Sequence, residues 1–276
     1  MRLFVDNLIN VDFSFLHPTR GIVGETWLAS VELEGELDEQ GMVCDFGIVK
    51  KMLRHWLDEE LDHRLLVPSE APELKIQQQE GVCALSWNTP QGEIEMDAPS
   101  QAVTCINAAE INQETVAHWC IDQLKSKFPS SVHSLVLRFT TENIDGPYYH
   151  YSHGLKKHDG NCQRIAHGHR SKILIWRNDT LDTALMQAWA DRWKDIYIGT
   201  KEDIRSESDR YTFEYNAKQG DFRLHIPKTF CYLISSDSTI ECISQHIADE
   251  LKKETPSDNF TVKAFEGLAK GAIAKS

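Results

Sequence analysis

An internal repeat constrains the fold of this chain more than any other feature of the sequence. Three segments of the first half align in the same order on three segments of the second half. The aligned pairs are "VGETWLASVELEGELD" (23–38) with "HGHRSKILIWRNDTLD" (167–182), "NTPQGEIEMDAP" (88–99) with "NAKQGDFRLHIP" (216–227), and "NQETVAHWCIDQL" (112–124) with "STIECISQHIADEL" (238–251). One match could arise by chance, but three in one order indicate a diverged duplication. We therefore predict two copies of one domain, residues 1–146 and 147–276, divided at Gly146-Pro147.

Both copies share one predicted order of elements. An early strand leads to a long alternating strand, and in the first copy the buried side of the long strand carries Trp27, Ala29, Val31 and Leu33. An amphipathic helix follows, then a hairpin with a Gln-Gly turn, a second helix and a closing strand. The first copy's first helix has its apolar positions at Ile48, Val49, Met52, Leu53, Trp56 and Leu57, and the second helices have Asn112 and Ser238 as N-caps. The pattern predicts an α+β fold with two tandem domains, each an antiparallel sheet with two helices on one face.

Composition restricts the possible partners. The net charge of −13 argues against nucleic-acid binding, which needs clustered Lys and Arg. No run of 18 apolar residues exists, so we expect no membrane contact, and the polar residues near the N-terminus do not resemble a signal peptide. The seven cysteines are an odd number without a C-x-x-C pair. We therefore predict reduced thiols and a cytoplasmic location.

The stretch "CQRIAHGHRS" carries the clearest candidate metal ligands. His167 and His169 are two residues apart, so on a strand both imidazoles point to the same face. A third histidine would complete a zinc site with an open coordination position. His153 in "YHYSHGL" is the best candidate, with His150 and His158 as alternatives.

One cysteine stands apart from the other six, which lie in strand or helix patterns and are expected to be buried. Cys162 lies in the polar loop "DGNCQR" between the candidate metal ligands. A loop cysteine near a dication would exist partly as thiolate, which suits a general base or a nucleophile.

Taken together, these motifs resemble the 6-pyruvoyl-tetrahydropterin synthase / 6-carboxy-tetrahydropterin synthase family, pterin enzymes with the tunnelling fold (T-fold). The matching pieces are "SHGL…C…HGH", "LDEQGMVCDFGIVKKML", "LDHRLL", "STIECISQHIADEL" and "VKAFEGLAKGAIA". They cover most of the chain, counted as two copies of the family's single domain. The resemblance implies Zn²⁺ on His153, His167 and His169, Cys162 as a catalytic residue, and substrate binding by Glu266 and Glu241.

The functional pieces are divided between the two copies. The first copy keeps Asp62 and His63 in "ELDHRLL", which resemble the family's acid/base pair, and the second copy has no equivalent. In the first copy, Val23 and Glu25 stand where the second has His167 and His169, while His17 remains. We therefore expect no zinc there. Because the family's Asp and His reach the substrate from a neighbouring subunit, we hypothesise a composite site, either within one chain or between chains.

The resemblance implies an activity and an assembly. We favour a lyase that converts 7,8-dihydroneopterin triphosphate to 6-carboxy-5,6,7,8-tetrahydropterin, on the queuosine (deazapurine) route. The alternatives are 6-pyruvoyl-tetrahydropterin formation, an aldolase-like lyase, and a non-catalytic zinc-containing pterin-binding protein. Four residues separate Cys162 from His167, a spacing that does not decide the product. We also expect a homo-oligomer, since family sheets close into rings of six domains, which three such chains would supply.

Overall fold

The computed structural model describes residues 1–276, and it contains eighteen strands and four α-helices. The first copy contains β1 (Arg2–His17), β2 (Gly21–Gly35), α1 (Phe46–Glu60), β3 (Leu65–Pro68), β4 (Leu74–Gln79), β5 (Val82–Thr89), β6 (Gly92–Pro99), β7 (Val103–Ile106), α2 (Gln113–Leu124) and β8 (Val132–Thr140). The second copy contains β9 (Tyr148–His153), β10 (His167–Arg177), β11 (Thr180–Leu181), α3 (Thr183–Arg192), β12 (Ile196–Thr200), β13 (Ile204–Glu207), β14 (Arg210–Ala217), β15 (Gly220–Pro227), β16 (Cys231–Ile234), α4 (Ile240–Glu254), β17 (Phe260–Phe265) and β18 (Gly271–Lys275). None of the four helices combines the length and the apolar composition that a membrane span requires.

Each copy builds one sheet with two helices on one of its faces. The first sheet has the strand order β7-β3-β1-β2-β8, and the second has β16-β12-β9-β10-β17-β18 with β11 beside β10. Helices α1 and α2 share one apolar core with the first sheet, and α3 and α4 share another with the second. The α+β class and the T-fold arrangement are thus confirmed.

The sheets are mixed rather than purely antiparallel, which corrects one detail of the prediction. Strand β3 runs parallel to both β1 and β7, and β12 runs parallel to both β9 and β16. The chain segments between these parallel strands contain a helix or a hairpin that crosses over the sheet. Because the chain then enters the sheet again from the same end, the connected strands run parallel.

Local sequence explains where the helices begin. Asn112 caps α2 as predicted, because its side chain accepts hydrogen bonds from the first turn. Helix α4, however, is capped by Thr239 and not by the predicted Ser238, whose side chain contacts His153 instead. The predicted buried face of β2 is confirmed, since its four apolar residues are at most 4% exposed. On α1 the prediction is wrong for Ile48, which is 67% exposed.

A third sheet joins the two copies. The hairpins of both copies form one six-stranded sheet with the order β13-β14-β15-β6-β5-β4. The junction is the antiparallel pair β6–β15, where Met96 pairs with Leu224. This sheet covers a core that draws side chains from both copies, including Trp87 and Phe213.

The two large sheets cross at equivalent points of the repeat. A Cβ atom on Gly24 would lie 1.9 Å from the carbonyl oxygen of Tyr151, and one on Gly168 would lie 2.7 Å from the Cα of Gly24. The Oγ atoms of Ser14 and Ser152 are hydrogen bonded at 2.7 Å. These serines pair in the sheets with Gly24 and Gly168, respectively. Because equivalent residues meet each other, an approximate twofold axis relates the copies.

Candidate metal centre and active site

Three buried histidines meet at the end of β9 and the start of β10. His153 pairs with His167 in the sheet, and His169 follows two residues later on the same face. All three are at most 1% exposed, and one ring nitrogen of each lies within 4.8 Å of the others. Of the alternatives for the third position, His150 contacts the carbonyl oxygen of Gly24, and His158 is exposed in a loop.

The surroundings orient all three rings in the same way. The Nδ1 atom of His153 lies 2.9 Å from the carbonyl oxygen of Ser238, and that of His167 lies 2.9 Å from the carbonyl oxygen of Arg164. The Nδ1 atom of His169 lies 3.2 Å from a carboxylate oxygen of Asp12. The rings therefore direct their Nε2 atoms towards one another.

These nitrogens fit a metal ion. The Nε2 atoms of His153 and His169 are buried and have no hydrogen-bond partner in the protein, which is rare for polar atoms. Burial and the neighbouring rings hold the pKa values of His153 and His167 well below the usual range, so both rings stay neutral. Three converging imidazoles with one coordination position left open form the donor set of a catalytic divalent metal site.

The predicted cysteine lies beside this cluster. Cys162 is half-buried in a short 3₁₀ turn, Asn161–Gln163, between β9 and β10. The hydrogen bond from the Leu155 amide to the Cys162 carbonyl ties this turn back to the end of β9. The Cys162 sulfur, a ring nitrogen of His167 and one of His63 lie within 4.8 Å of one another.

The acid/base pair reaches the same pocket from the first copy. His63 follows the end of α1 with a φ of 54°, and its Nδ1 atom pairs with the carboxylate of Asp62. The centroid of the His63 ring lies 5.0 Å from that of His167. Although burial lowers it, the Asp62 and Cys162 side chains raise the pKa of His63 to about 10, so the ring carries a proton at neutral pH. Residues of both copies therefore meet in one pocket of a single chain.

The two predicted substrate-binding carboxylates have different positions. Glu266 follows β17, and its Oε1 atom lies 3.9 Å from the Nε2 atom of His169. Glu241 is exposed in the first turn of α4, and no hydrogen bond or ion pair links its side chain to the pocket. The structure thus brings Glu266 to the site but does not bring Glu241 there.

Sequence reasoning missed several residues of the pocket. Two of them belong to the first copy: Asp12 faces His169, and Thr26 donates a hydrogen bond to Asp12. Lys270 of the second copy lies between the carboxylates of Asp12 and Glu266. Arg164 is 3% exposed, and its guanidinium lies 3.4 Å from the carbonyl oxygen of Asp62. Only Asp12 left a signal, since it is a charged residue between the apolar Val11 and Phe13 of a strand.

The equivalent position in the first copy, which we call the counterpart site, has different chemistry. Sheet register places Val23 opposite Phe15, as His167 is opposite His153, so Phe15 and not His17 occupies the third position. Glu25 stands in the place of His169. At the position of His63 the second copy has Asp195, which binds the guanidinium of Arg20 through two contacts.

Fold and site together define the class: a tandem T-fold protein with a three-histidine pocket. The family model of 6-pyruvoyl tetrahydropterin synthase matches residues 10–144, the segment that holds Asp62 and His63. This match, which covers just under half of the chain, gives it a domain of the 6-pyruvoyl tetrahydropterin synthase type.

Individual relatives match only part of the chain. A Rickettsia conorii protein named 6-carboxy-5,6,7,8-tetrahydropterin synthase is 35% identical over 60 residues, which are 22% of this chain and 40% of that protein. A Pyrococcus horikoshii protein provisionally given the same name is 26% identical over 125 residues, 42% of this chain and 66% of the relative. The chain thus spans less than two thirds of the length of either relative.

Among solved structures, 6-pyruvoyl tetrahydropterin synthase from Plasmodium vivax is similar to part of the chain. The two sequences are 19% identical, and the matched region includes 52% of this chain and 93% of the Plasmodium chain, with a TM-score of 0.43.

Proposed function

We propose that the chain is a zinc-dependent pterin lyase that converts 7,8-dihydroneopterin triphosphate and water to 6-carboxy-5,6,7,8-tetrahydropterin, acetaldehyde and triphosphate. This reaction belongs to the queuosine (deazapurine) route. One observation carries the proposal: the three histidines and Cys162 of the second copy share a pocket with His63 of the first copy. The surviving parts of two incomplete copies thus add up to one complete set.

His153, His167 and His169 would hold the Zn²⁺ ion, with one coordination position open for the substrate. When bound, the ion would act as a Lewis acid that acidifies the hydroxyl groups of the pterin side chain.

The protein's own groups would handle the protons. The Cys162 thiolate would take a proton from the side-chain carbon next to the pterin ring, and His63, oriented by Asp62, would deliver the second proton. The protonated state of His63 at neutral pH suits a proton donor. Glu266 would accept the N–H donors of the pterin ring as a charge-assisted pair and so fix its orientation.

Two other functions remain as outcomes of the test. The matching family model carries the name 6-pyruvoyl tetrahydropterin synthase, which favours a lyase that releases triphosphate but keeps the side-chain carbons. A non-catalytic pterin-binding protein would bind the pterin without turnover.

The decisive experiment is incubation with dihydroneopterin triphosphate, followed by mass spectrometry. We expect acetaldehyde and 6-carboxytetrahydropterin, whereas 6-pyruvoyl-tetrahydropterin would support the second lyase. Cys162→Ser and His63→Ala should each lower kcat by about 100- to 10,000-fold. Cys242→Ser, a thiol change in α4, is the matched control and should keep full activity. Equal losses in Cys162→Ser and Cys242→Ser would contradict the assigned role of Cys162.

We also propose a homo-oligomer of three chains and a cytoplasmic location. The end strands of the two large sheets have no neighbour within the chain, so they are available for pairing between chains. All seven cysteines are free, which suits a reducing compartment.

A further inference from the structure

We propose that Asp12 is a positioning residue that holds the metal ligand His169 and links it to the pterin-anchoring and proton-transfer groups of the pocket. The roles of those groups rest on the proposed function. Asp12 lies on β1 of the first copy and is 2% exposed, whereas His169 belongs to the second copy.

The Asp12 carboxylate distinguishes His169 from the other two histidines. His153 and His167 have their Nδ1 atoms on backbone carbonyls, but the Nδ1 atom of His169 faces the Oδ1 atom of Asp12 at 3.2 Å. A second contact fixes this oxygen, because the hydroxyl of Thr26 donates to it at 2.5 Å. The contact is a charge contact rather than a hydrogen bond, and a carboxylate at this distance favours the ring proton on Nδ1 and leaves Nε2 free for a metal.

The other carboxylate oxygen reaches the predicted pterin anchor. The Oδ2 atom of Asp12 lies 3.3 Å from the Nζ atom of Lys270, which is itself 3.6 Å from the Oε2 atom of Glu266. The turn after Glu266 is packed directly on Asp12: a Cβ atom on Gly267, whose φ is +66°, would lie 2.4 Å from the Asp12 Oδ1 atom. The turn can approach this closely only with glycine at that position.

The backbone of the same residue holds the acid/base pair. The Asp12 amide donates to the Oδ1 atom of Asp62 at 2.7 Å, and the His63 amide donates to the Asp12 carbonyl at 2.6 Å. One residue of the first copy therefore contacts His169, Asp62 and His63 directly and reaches Glu266 through Lys270. Metal affinity in the second copy consequently depends on a side chain from the first.

Asp12→Asn tests the side-chain role, because it removes the charge, keeps the size and leaves the backbone contacts to Asp62 and His63. We expect it to weaken metal binding by about 10- to 100-fold, the usual effect of losing such a partner. The measurement is competition for Co²⁺ or Zn²⁺ between the full-length protein and a chromogenic chelator, with the visible spectrum of bound Co²⁺ as a second readout.

Glu25→Gln is the matched control, because Glu25 is also a buried carboxylate and its Oε2 atom lies 3.9 Å from the Nδ1 atom of His150 in the counterpart site. It should leave the metal affinity unchanged. Equal weakening in both variants, or no weakening in Asp12→Asn, would overturn the proposal. If Asp12→Asn does not fold, Thr26→Val should give a smaller loss of affinity in the same direction, and an unchanged affinity there would also overturn it.

Metal affinity needs no pterin, so the two proposals can fail separately. A wild-type protein that binds one metal ion but converts no dihydroneopterin triphosphate would refute the proposed activity, while the comparison of variants would still decide the role of Asp12. A wild-type protein that binds no metal would overturn both.

Discussion

Glu25 shows how far single residues of the counterpart site have diverged from those of the metal pocket. It is 8% exposed, with Arg20, Arg170 and His150 as its charged or titratable neighbours. Burial raises the pKa of Glu25 to about 7, against smaller opposing effects from the Thr26 amide and the two arginines. The folded protein therefore keeps a proton that the unfolded chain releases near pH 4.5.

This difference predicts a pH dependence of stability. Below about pH 4.5, Glu25 contributes about 3 kcal/mol to the free energy of unfolding. This contribution is lost as the pH rises through about 7. Urea unfolding at pH 5 and pH 8 should therefore show a larger loss of stability in the wild type than in Glu25→Gln. The exposed Glu36→Gln should behave like the wild type, and parallel pH profiles for all three proteins would contradict the prediction.

The sequence could identify residues whose neighbours in the chain reveal them. The spacing of His167, His169 and Cys162 marked one end of the pocket, and "LDHRLL" marked Asp62 and His63. Thr26 and Lys270 carried no such signal, because they meet Asp12 only after the chain has folded. The assignment of His17 failed for a related reason: His17 and Phe15 lie on the same strand face, and only the register with β2 shows which of them is opposite Val23.

At the scale of elements, the crossing of β2 over β10 determines how closely the two copies approach. Gly24→Ala should destabilise the protein by about 3 kcal/mol, because the new Cβ atom would lie 1.9 Å from the Tyr151 carbonyl oxygen and 2.6 Å from the His169 amide nitrogen. Urea unfolding measures this loss, and displacement of His169 should also weaken metal binding. In α1, a Cβ atom on Gly47 would meet only the Asp45 side chain, at 3.4 Å, so Gly47→Ala should be neutral or slightly stabilising. Equal stability of the two variants would show that the crossing is not close-packed.

At the scale of the whole molecule, the six-stranded sheet makes the two copies one folding unit. Its core contains Ile94 and Met96 from the first copy and Phe222 and Leu224 from the second, all at most 2% exposed. A copy on its own would expose this apolar surface to water.

We therefore expect calorimetry of the full chain to show a single unfolding transition. Residues 147–276 expressed alone should be largely unfolded or aggregated by circular dichroism, and co-expression with residues 1–146 should restore both the fold and metal binding. Two separate transitions, or a stable second copy that binds metal with wild-type affinity, would contradict this view.

The repeat predicted two α+β copies, but it did not predict how they join. Pairing of β6 with β15 brings together strands more than a hundred residues apart, and no local pattern distinguishes that edge from the other edges of the two hairpins. The parallel strands β3 and β12 are equally difficult to recognise, since four or five residues carry little directional information.

The approximate axis between Ser14 and Ser152 has a consequence for the history of the protein. In a dimer of identical subunits, every substitution appears twice, so a change that damages one pocket also damages its symmetry mate. Joining the two subunits in one polypeptide removes that restriction, and each position becomes free to vary on one side of the axis only. The difference between Phe15 in one copy and His153 in the other is an example: one pocket keeps its histidine, and the equivalent pocket has lost it.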